Sequence, residues 1–402
     1  MREITLAYVT NMWSHFQATI CRELSAKMGA DRFKMVLCEP VYDERRQLGW
    51  DTSSPTEQWV LGPPGGRVQM AELREWTMGA DVAVIGSAPP DFATRRAASG
   101  RLTLIMSERL WKRPWRWTRL LRPRTALGVY RFRRMANRSN VHYLAIGAGA
   151  PSDVRQIRAF DDRIWTWPYF AEAPANQPEP RLGPGVRILW VGRMIPWKRV
   201  DLLLEAVAMI RDEPGFEGLD LFGTGDQQEP WKRLAQHLGL GDKCGFHGPQ
   251  HPSVVRRLMR EADIYVLASD RNEGWGVVAN EAMSEGCVLV ANREAGAARV
   301  LIKDGITGFL FDDGNSSQLA DILRMLVRRP ELRERVRAEA FENLVRLWHP
   351  RVGAERLIAL CQGLLGLVPV PDFAQGPCSR AIPGDVAPGI VEPRWSTRGP
   401  RR

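Results

Sequence analysis

The stretch 263–292, DIYVLASDRNEGWGVVANEAMSEGCVLVAN, decides the fold. An apolar run, DIYVLA (263–268), leads into a polar loop, a helical pattern over 274–285 and a second apolar run, CVLVAN (287–292). Buried strand, loop, helix and buried strand in that order make a βαβ unit, the building block of a parallel sheet covered on both faces. The same alternation runs upstream through VRILWVG (186–192), a helix at 198–211, LDLFG (219–223), a helix at 229–238, KCGFHG (243–248) and a helix at 253–261. Downstream it closes with GITGFLF (305–311) and helices at 315–328, 331–347 and 352–365.

The N-terminal half repeats the plan. ITLAYV (4–9), RFKMVLC (32–38), DVAVIG (81–86), RLTLIM (101–106) and NVHYLAI (140–146) read as buried strands, with helical patterns at 17–28 and 68–78. Between the halves, PYFAEAPANQPEPRLGPG (168–185) carries five Pro and no periodicity, the mark of a linker. The expected fold class is therefore α/β, with two Rossmann-like doubly wound domains in tandem. They span 1–167 and 186–347, followed by a helix at 348–368 that returns to the first domain. The residues 369–402, rich in Pro, Gly and Arg, are expected to be disordered. Ligands of such sheets bind beyond the carboxyl ends of the strands, so two facing domains would create a central cleft.

Charge is uneven along the 402 residues, which carry 56 Lys+Arg against 46 Asp+Glu. The segment 109–138 holds eleven basic residues and no acidic one, leaving 45 basic and 46 acidic groups elsewhere. Three Trp (111, 115 and 117) sit in the same segment. Read blandly, this is a solvated basic surface. Read functionally, it is a patch for an anionic membrane, with Trp at the interface and Arg/Lys on headgroups. No nucleic-acid module accompanies it, so nucleic acid is not an expected partner. Six scattered Cys without metal-ligand spacing read as reduced structural thiols. No apolar run approaches the ~18 residues of a membrane span, and MREITLAYVT lacks the features of a secretory signal. A cytoplasmic protein is expected, peripheral at the inner face of the membrane if the basic patch binds there.

The candidate chemistry lies in the opening stretch. Glu273 and Glu281 are eight apart, a spacing that recurs at 205/213, 331/339 and 334/342 and means nothing by itself. Context separates this pair. Glu273 falls in the strand-to-helix loop beside Gly274, Trp275 and Gly276, and Glu281 is expected about two turns into the helix. Small residues at a helix start let a ligand approach backbone N–H groups, and such a terminus attracts phosphate. One loop thus offers a carboxylate for hydroxyls, N–H groups for a diphosphate and a second carboxylate farther along, the order of parts in a sugar nucleotide. FGTGD (222–226) lacks the third Gly of a dinucleotide fingerprint. No D-x-D triplet occurs, so no metal and no cofactor is expected.

In EGWGVVANEAMSEGCVLVA, GITGFLF, VGRMIPWKRVDLLLEA (191–206), LFGTG (221–225) and FHGPQ (246–250) the chain resembles the family 4 glycosyltransferases, retaining enzymes of the GT-B fold. The resemblance covers roughly 186–330, with weaker matches at YVTNMWSHFQ (8–17) and SERLWK (107–112). It implies that Glu273 contacts donor-sugar hydroxyls, that Glu281 holds the ribose, and that Arg193 and Lys198 clamp the diphosphate. Phe246 and Gly248 would hold the base through the backbone, while His15, Glu108 and Arg109 would touch acceptor or donor. The implied activity is that of a hexosyltransferase using a UDP- or GDP-linked sugar. Its acceptor would be a glycan or lipid-linked glycan, in cell-surface polysaccharide or glycoconjugate biosynthesis. A GT-B epimerase or phosphorylase, and a non-catalytic nucleotide- or glycan-binding relative, stand as alternatives.

Overall fold

Why the apolar runs become strands is plain from their burial. VAVI (Val82–Ile85) and IYVL (Ile264–Leu267) are buried along their whole length, as strands covered by helices on both faces must be. The computed structural model describes residues 2–42, 57–63, 69–111, 121–181, 183 and 185–381. In it the chain forms two units. One comprises Met1–Ala173, Pro249–Val255 and Leu344–Ala381, and the other Pro174–Gly248 and Arg256–Asn343.

The first unit holds β1 (Leu6–Thr10), β2 (Phe33–Leu37), β3 (Val60–Leu61), β4 (Val82–Ile85), β5 (Leu102–Ser107), β6 (Val141–Ile146) and β7 (Ile164–Trp167). They lie parallel in the order β3-β2-β1-β4-β5-β6-β7. The second holds β8 (Val186–Val191), β9 (Phe216–Phe222), β10 (Cys244–His247), β11 (Ile264–Leu267), β12 (Val288–Asn292) and β13 (Phe309–Phe311). Their order is β10-β9-β8-β11-β12-β13, also parallel. Both sheets reverse strand order next to their first strand, the switch point at which doubly wound sheets bind ligands. Two short strands, β3 and β7, fall outside the runs read from the sequence.

Each sheet has its own core. Val9, Ile85, Phe92, Tyr143 and Phe160 fill the first, and Ile188, Trp190, Val266, Val290, Leu319 and Leu323 the second. Two helices, Ser316–Arg328 and Pro330–Asn343, follow β13. The expected continuous helix through 347 instead stops at Asn343. It widens into a π turn, Leu344–Trp348, ahead of Pro350, which has no N–H to donate and restricts the residue before it. The helix Pro350–Leu364 packs on the first unit's helix His15–Met28, where Lys27 Nζ meets Glu355 at 2.8 Å. Gly353 lets the Phe170 ring approach closely.

The tail expectation needs correcting. Residues 378–381 pair with β7: Cys378 N–H donates to Thr166 O, Thr166 N–H to Ser379 O and Ala381 N–H to Ile164 O, at 2.8–3.0 Å. The Arg380 guanidinium covers the Trp165 ring at 4.0 Å. An edge strand offers unpaired backbone groups, and this pairing outweighs a composition that suggests disorder. Residues 382–402 lie outside the described residues. The linker is likewise held at both ends, by Phe170 buried edge-on to Trp167 and by Arg181 paired with Glu217 and Asp263.

Candidate donor site in the second unit

Loops leaving the carboxyl ends of β8, β9, β11 and β12 are laced together by backbone hydrogen bonds. Gly192 N–H donates to Phe222 O and Met194 N–H to Thr224 O, tying the loop of Arg193 to the FGTG turn. The fit is flush: a Cβ on Gly223 would stand 1.8 Å from Gly192 O. FGTG is thus a bed for the Arg193 loop, as its missing third Gly suggests. Asp270 N–H donates to Trp197 O at 2.9 Å, joining the β11 loop to the β8 loop. On the other side Gly296 N–H donates to Glu273 O and Ala297 N–H to Trp275 O. A Cβ on Gly296 would stand 1.7 Å from Gly274 O, so only glycine permits this approach.

Within this frame the expected residues of two loops meet. Lys198 ends a short 3-10 turn, Pro196–Lys198, and its ammonium donates to the Glu273 carboxylate, with the side chains 14% and 15% exposed. Arg199 follows with φ +48°, a left-handed turn that starts the helix Val200–Ala208. Its guanidinium is held by Asp201 at 3.0–3.2 Å. Burial alone would push the Glu273 carboxyl up. The Lys198 ammonium, then the Ser269 hydroxyl and, more distantly, the Arg193 charge outweigh burial and hold it below the usual carboxylate range. Arg193 itself is exposed and makes no ion pair among the described residues.

Glu281 is placed differently from expectation. The helix begins at Val278, not 274, because Gly276 takes φ +89° and the indole of Trp275 turns inward, so Glu281 sits in the first turn. Burial, then the charges of Glu281 and Glu273, raise the Tyr265 phenol well above its usual value, so both carboxylates act on one buried ring. Trp275 does not fit its expected donor contact. Its side chain is buried, and its Nε1–H donates to Asn280 Oδ1 at 2.8 Å, which pins the loop from below. The Phe246 side chain packs partly buried against the apolar core and lines a cavity beside it, and Gly248 is exposed just beyond β10. His247 stacks on Phe222 and bonds Asp220 at 2.8 Å.

The remaining expected contacts lie in the first unit. His15 is exposed at the first position of its helix, its ring edge-on to Phe16. Glu108 is half-buried and its carbonyl accepts from the Tyr143 hydroxyl at 3.2 Å. Arg109 is engaged within the fold. It pairs with the buried Asp153 at 3.2 Å, and the Trp111 N–H donates to the same carboxylate. Asp153 is far away in sequence, which is why a reading of SERLWK leaves Arg109 free. Sequence reading also missed Asn292, wholly buried, whose amide donates to Ala268 O at 3.3 Å and Asp313 at 2.7 Å. Its only signal was its place at the end of CVLVAN. Among the described residues no cluster of three or more His, Cys, Asp or Glu could hold a metal ion.

Of the basic stretch, 112–120 lies outside the described residues. The helix Pro123–Ala136 turns Phe132, Met135 and Ala136 toward the first core. Leu127 (47% exposed), Tyr130 (61%) and Leu121 (82%) face outward, among the exposed Arg122, Arg124, Arg131, Arg133, Arg134 and Arg138. No helix among the described residues is long and apolar enough to cross a membrane.

Residues 176–343 match the family model described as glycosyl transferases group 1. A D-inositol 3-phosphate glycosyltransferase from Geodermatophilus obscurus is 31% identical over 234 residues, 54% of this chain and 46% of the relative. A phosphatidyl-myo-inositol mannosyltransferase from Mycobacterium leprae is 33% identical over 177 residues, 44% of this chain and 46% of the relative. The chain thus spans about half the length of the curated relatives it matches. Among solved structures, Anabaena HepE in complex with UDP superposes with a TM-score of 0.64 at 18% identity, covering 91% of this chain and all of HepE. A glycosyltransferase from Rickettsia africae reaches 0.66 at 14% identity over 91% of this chain and 99% of its own. At such identities the likeness gives the fold alone, the pair of Rossmann-like units called GT-B.

Proposed function

We propose that the protein is a retaining glycosyltransferase, its residues 176–343 matching the glycosyl transferases group 1 model. It moves a hexose from a nucleoside diphosphate to a glycan or lipid-linked glycan, in cell-surface polysaccharide or glycoconjugate synthesis. The observation that carries this reading is the meeting of Lys198, Glu273 and the exposed Arg193 at the carboxyl ends of β8 and β11. The Anabaena neighbour was solved with UDP, which favours a UDP-linked donor over a GDP-linked one.

On this reading Glu273 accepts hydrogen bonds from sugar hydroxyls, and Glu281 from the ribose. When the bond from C1 to the phosphate oxygen breaks, its electron pair goes to the diphosphate. Arg193 and Lys198 face that new charge, and hydrogen bonds to charged groups contribute about 1.5–3 kcal/mol each. Fixed cations aimed at developing charge are usually the largest catalytic term, and two of them perform here the role a metal plays elsewhere. The acceptor oxygen attacks C1 from the face the phosphate leaves, and its proton passes to the departing phosphate oxygen. Configuration is kept. The test is sugar transfer from UDP- and GDP-sugars by the purified protein. Glu273→Ala and Lys198→Ala should each lower turnover by orders of magnitude with the circular dichroism unchanged, and near-normal turnover would sink the assignment.

The helix Pro123–Ala136 supplies the second part of the proposal, an anionic membrane surface as partner. Four exposed Arg on the helix (Arg124, Arg131, Arg133, Arg134) and two flanking it (Arg122, Arg138), at about 1 kcal/mol each near such a surface, with Leu127 and Tyr130 to enter the interface, suffice for peripheral attachment. Co-sedimentation with phosphatidylglycerol vesicles should be strong, and weak with phosphatidylcholine alone. Replacing Arg124, Arg131 and Arg134 by Gln should abolish it; unchanged binding would overturn the membrane claim.

A further inference from the structure

Of the two cations assigned to the diphosphate, one is already engaged. Arg193 stands exposed without an ion pair among the described residues, whereas the Lys198 ammonium rests on the Glu273 carboxylate. Both side chains of that pair are largely withdrawn from water. A diphosphate that takes Lys198 must separate it from Glu273, and a carboxylate so enclosed cannot be left without donors at low cost.

We infer that Glu273 makes the site discriminate between a nucleotide sugar and the bare nucleoside diphosphate, and so promotes product release. The inference rests on the donor-site reading above. A nucleotide sugar brings phosphate for Lys198 and hydroxyl donors for Glu273 in the same event, so each member of the pair exchanges one partner for another. The product of transfer brings phosphate and no hydroxyls. Glu273 then competes for Lys198, and its charge faces the phosphate unopposed. One charge-assisted hydrogen bond gained or lost on a partly buried carboxylate corresponds to about tenfold or more in affinity. The sugar is thereby read by the same carboxylate that expels what remains once the sugar has gone.

The experiment is calorimetric titration of the full chain with UDP, GDP and the matching UDP- and GDP-glucose, without acceptor. Wild type should bind the nucleotide sugar more tightly than the diphosphate. Glu273→Gln keeps the shape but removes the charge. It should bind the diphosphate about tenfold or more tightly than wild type while losing its preference for the sugar-bearing form. In a Lys198→Met background the same substitution should change diphosphate affinity much less, since the contest for Lys198 is gone. Glu273→Gln that folds normally and binds diphosphate no better than wild type overturns the inference and leaves the donor-site reading standing. Wild type that binds no nucleotide of either kind overturns both.

Discussion

Arg109–Asp153 in the first unit and Lys198–Glu273 in the second are two cation–carboxylate pairs on the segments that follow the carboxyl ends of parallel strands, Asp153 within the helix Ala150–Gln156. Their cations are almost equally covered, 13% and 14% exposed. The carboxylates differ: Asp153 is 1% exposed and Glu273 15%. Asp153 also accepts a backbone N–H from Trp111, so its oxygens are shared between partners inside the fold. Glu273 also feels the charge of the exposed Arg193, and it shares with Glu281 an effect on the Tyr265 phenol. The two sheets thus carry one pair sealed inside the fold and one that, on the proposed function, exchanges partners with a ligand, so function would follow the loops rather than the fold.

Breaking each pair should separate the two roles. Lys198→Met should lower transfer by about a hundredfold or more while moving the melting temperature little. Arg109→Met leaves a buried carboxylate uncompensated and should destabilise the first unit by about 3 kcal/mol. Its signature is a lower melting temperature, with turnover per folded molecule retained; the opposite pattern would break the comparison.

Acid should also distinguish the units. Burial, then the charges of Arg163 and Arg380, push the His142 imidazole down to about 4, against a weaker pull from Asp162, and the Trp165 indole donates to its ring nitrogen. Above about pH 6.5 the ring is neutral folded or unfolded, and no stability depends on it. Between about 6.5 and 4 only the unfolded chain takes the proton, so stability falls as pH falls, by up to about 3 kcal/mol. Glu273 has the opposite charge type. Its depressed value adds stability above about pH 4.5 that is lost only below it. From pH 6.5 to 5 the first unit should therefore soften before the second. In His142→Gln the melting temperature should fall less over that interval; an equal fall would exclude His142 as the cause.

Both sheets could be read from the chain, because a fully buried parallel strand leaves an uninterrupted apolar run. β3 has two residues and β7 is interrupted by Thr166, and neither leaves such a run. Glu273, Lys198 and Arg193 were also legible, since strand-end loops carry them in short motifs. What escaped depended on partners far away in sequence. Asp153 claims Arg109, Asp313 claims Asn292, and β7 recruits 378–381. The late helix start at Val278 escaped for a local reason, as the inward turn of Trp275 leaves no periodic signal.

The interlocked glycines have a consequence for how this site can change over evolutionary time. Gly223 is fitted to the backbone of Gly192, and Gly296 to that of Gly274. No one of these loops can acquire a bulkier backbone position without its neighbour yielding. The loops therefore pass through mutation as a linked block, and divergence in donor preference is channelled into the side chains that project from the block. A library that varies Arg193, Asn272 or Glu294 should yield folded variants far more often than one that varies the glycines beneath them.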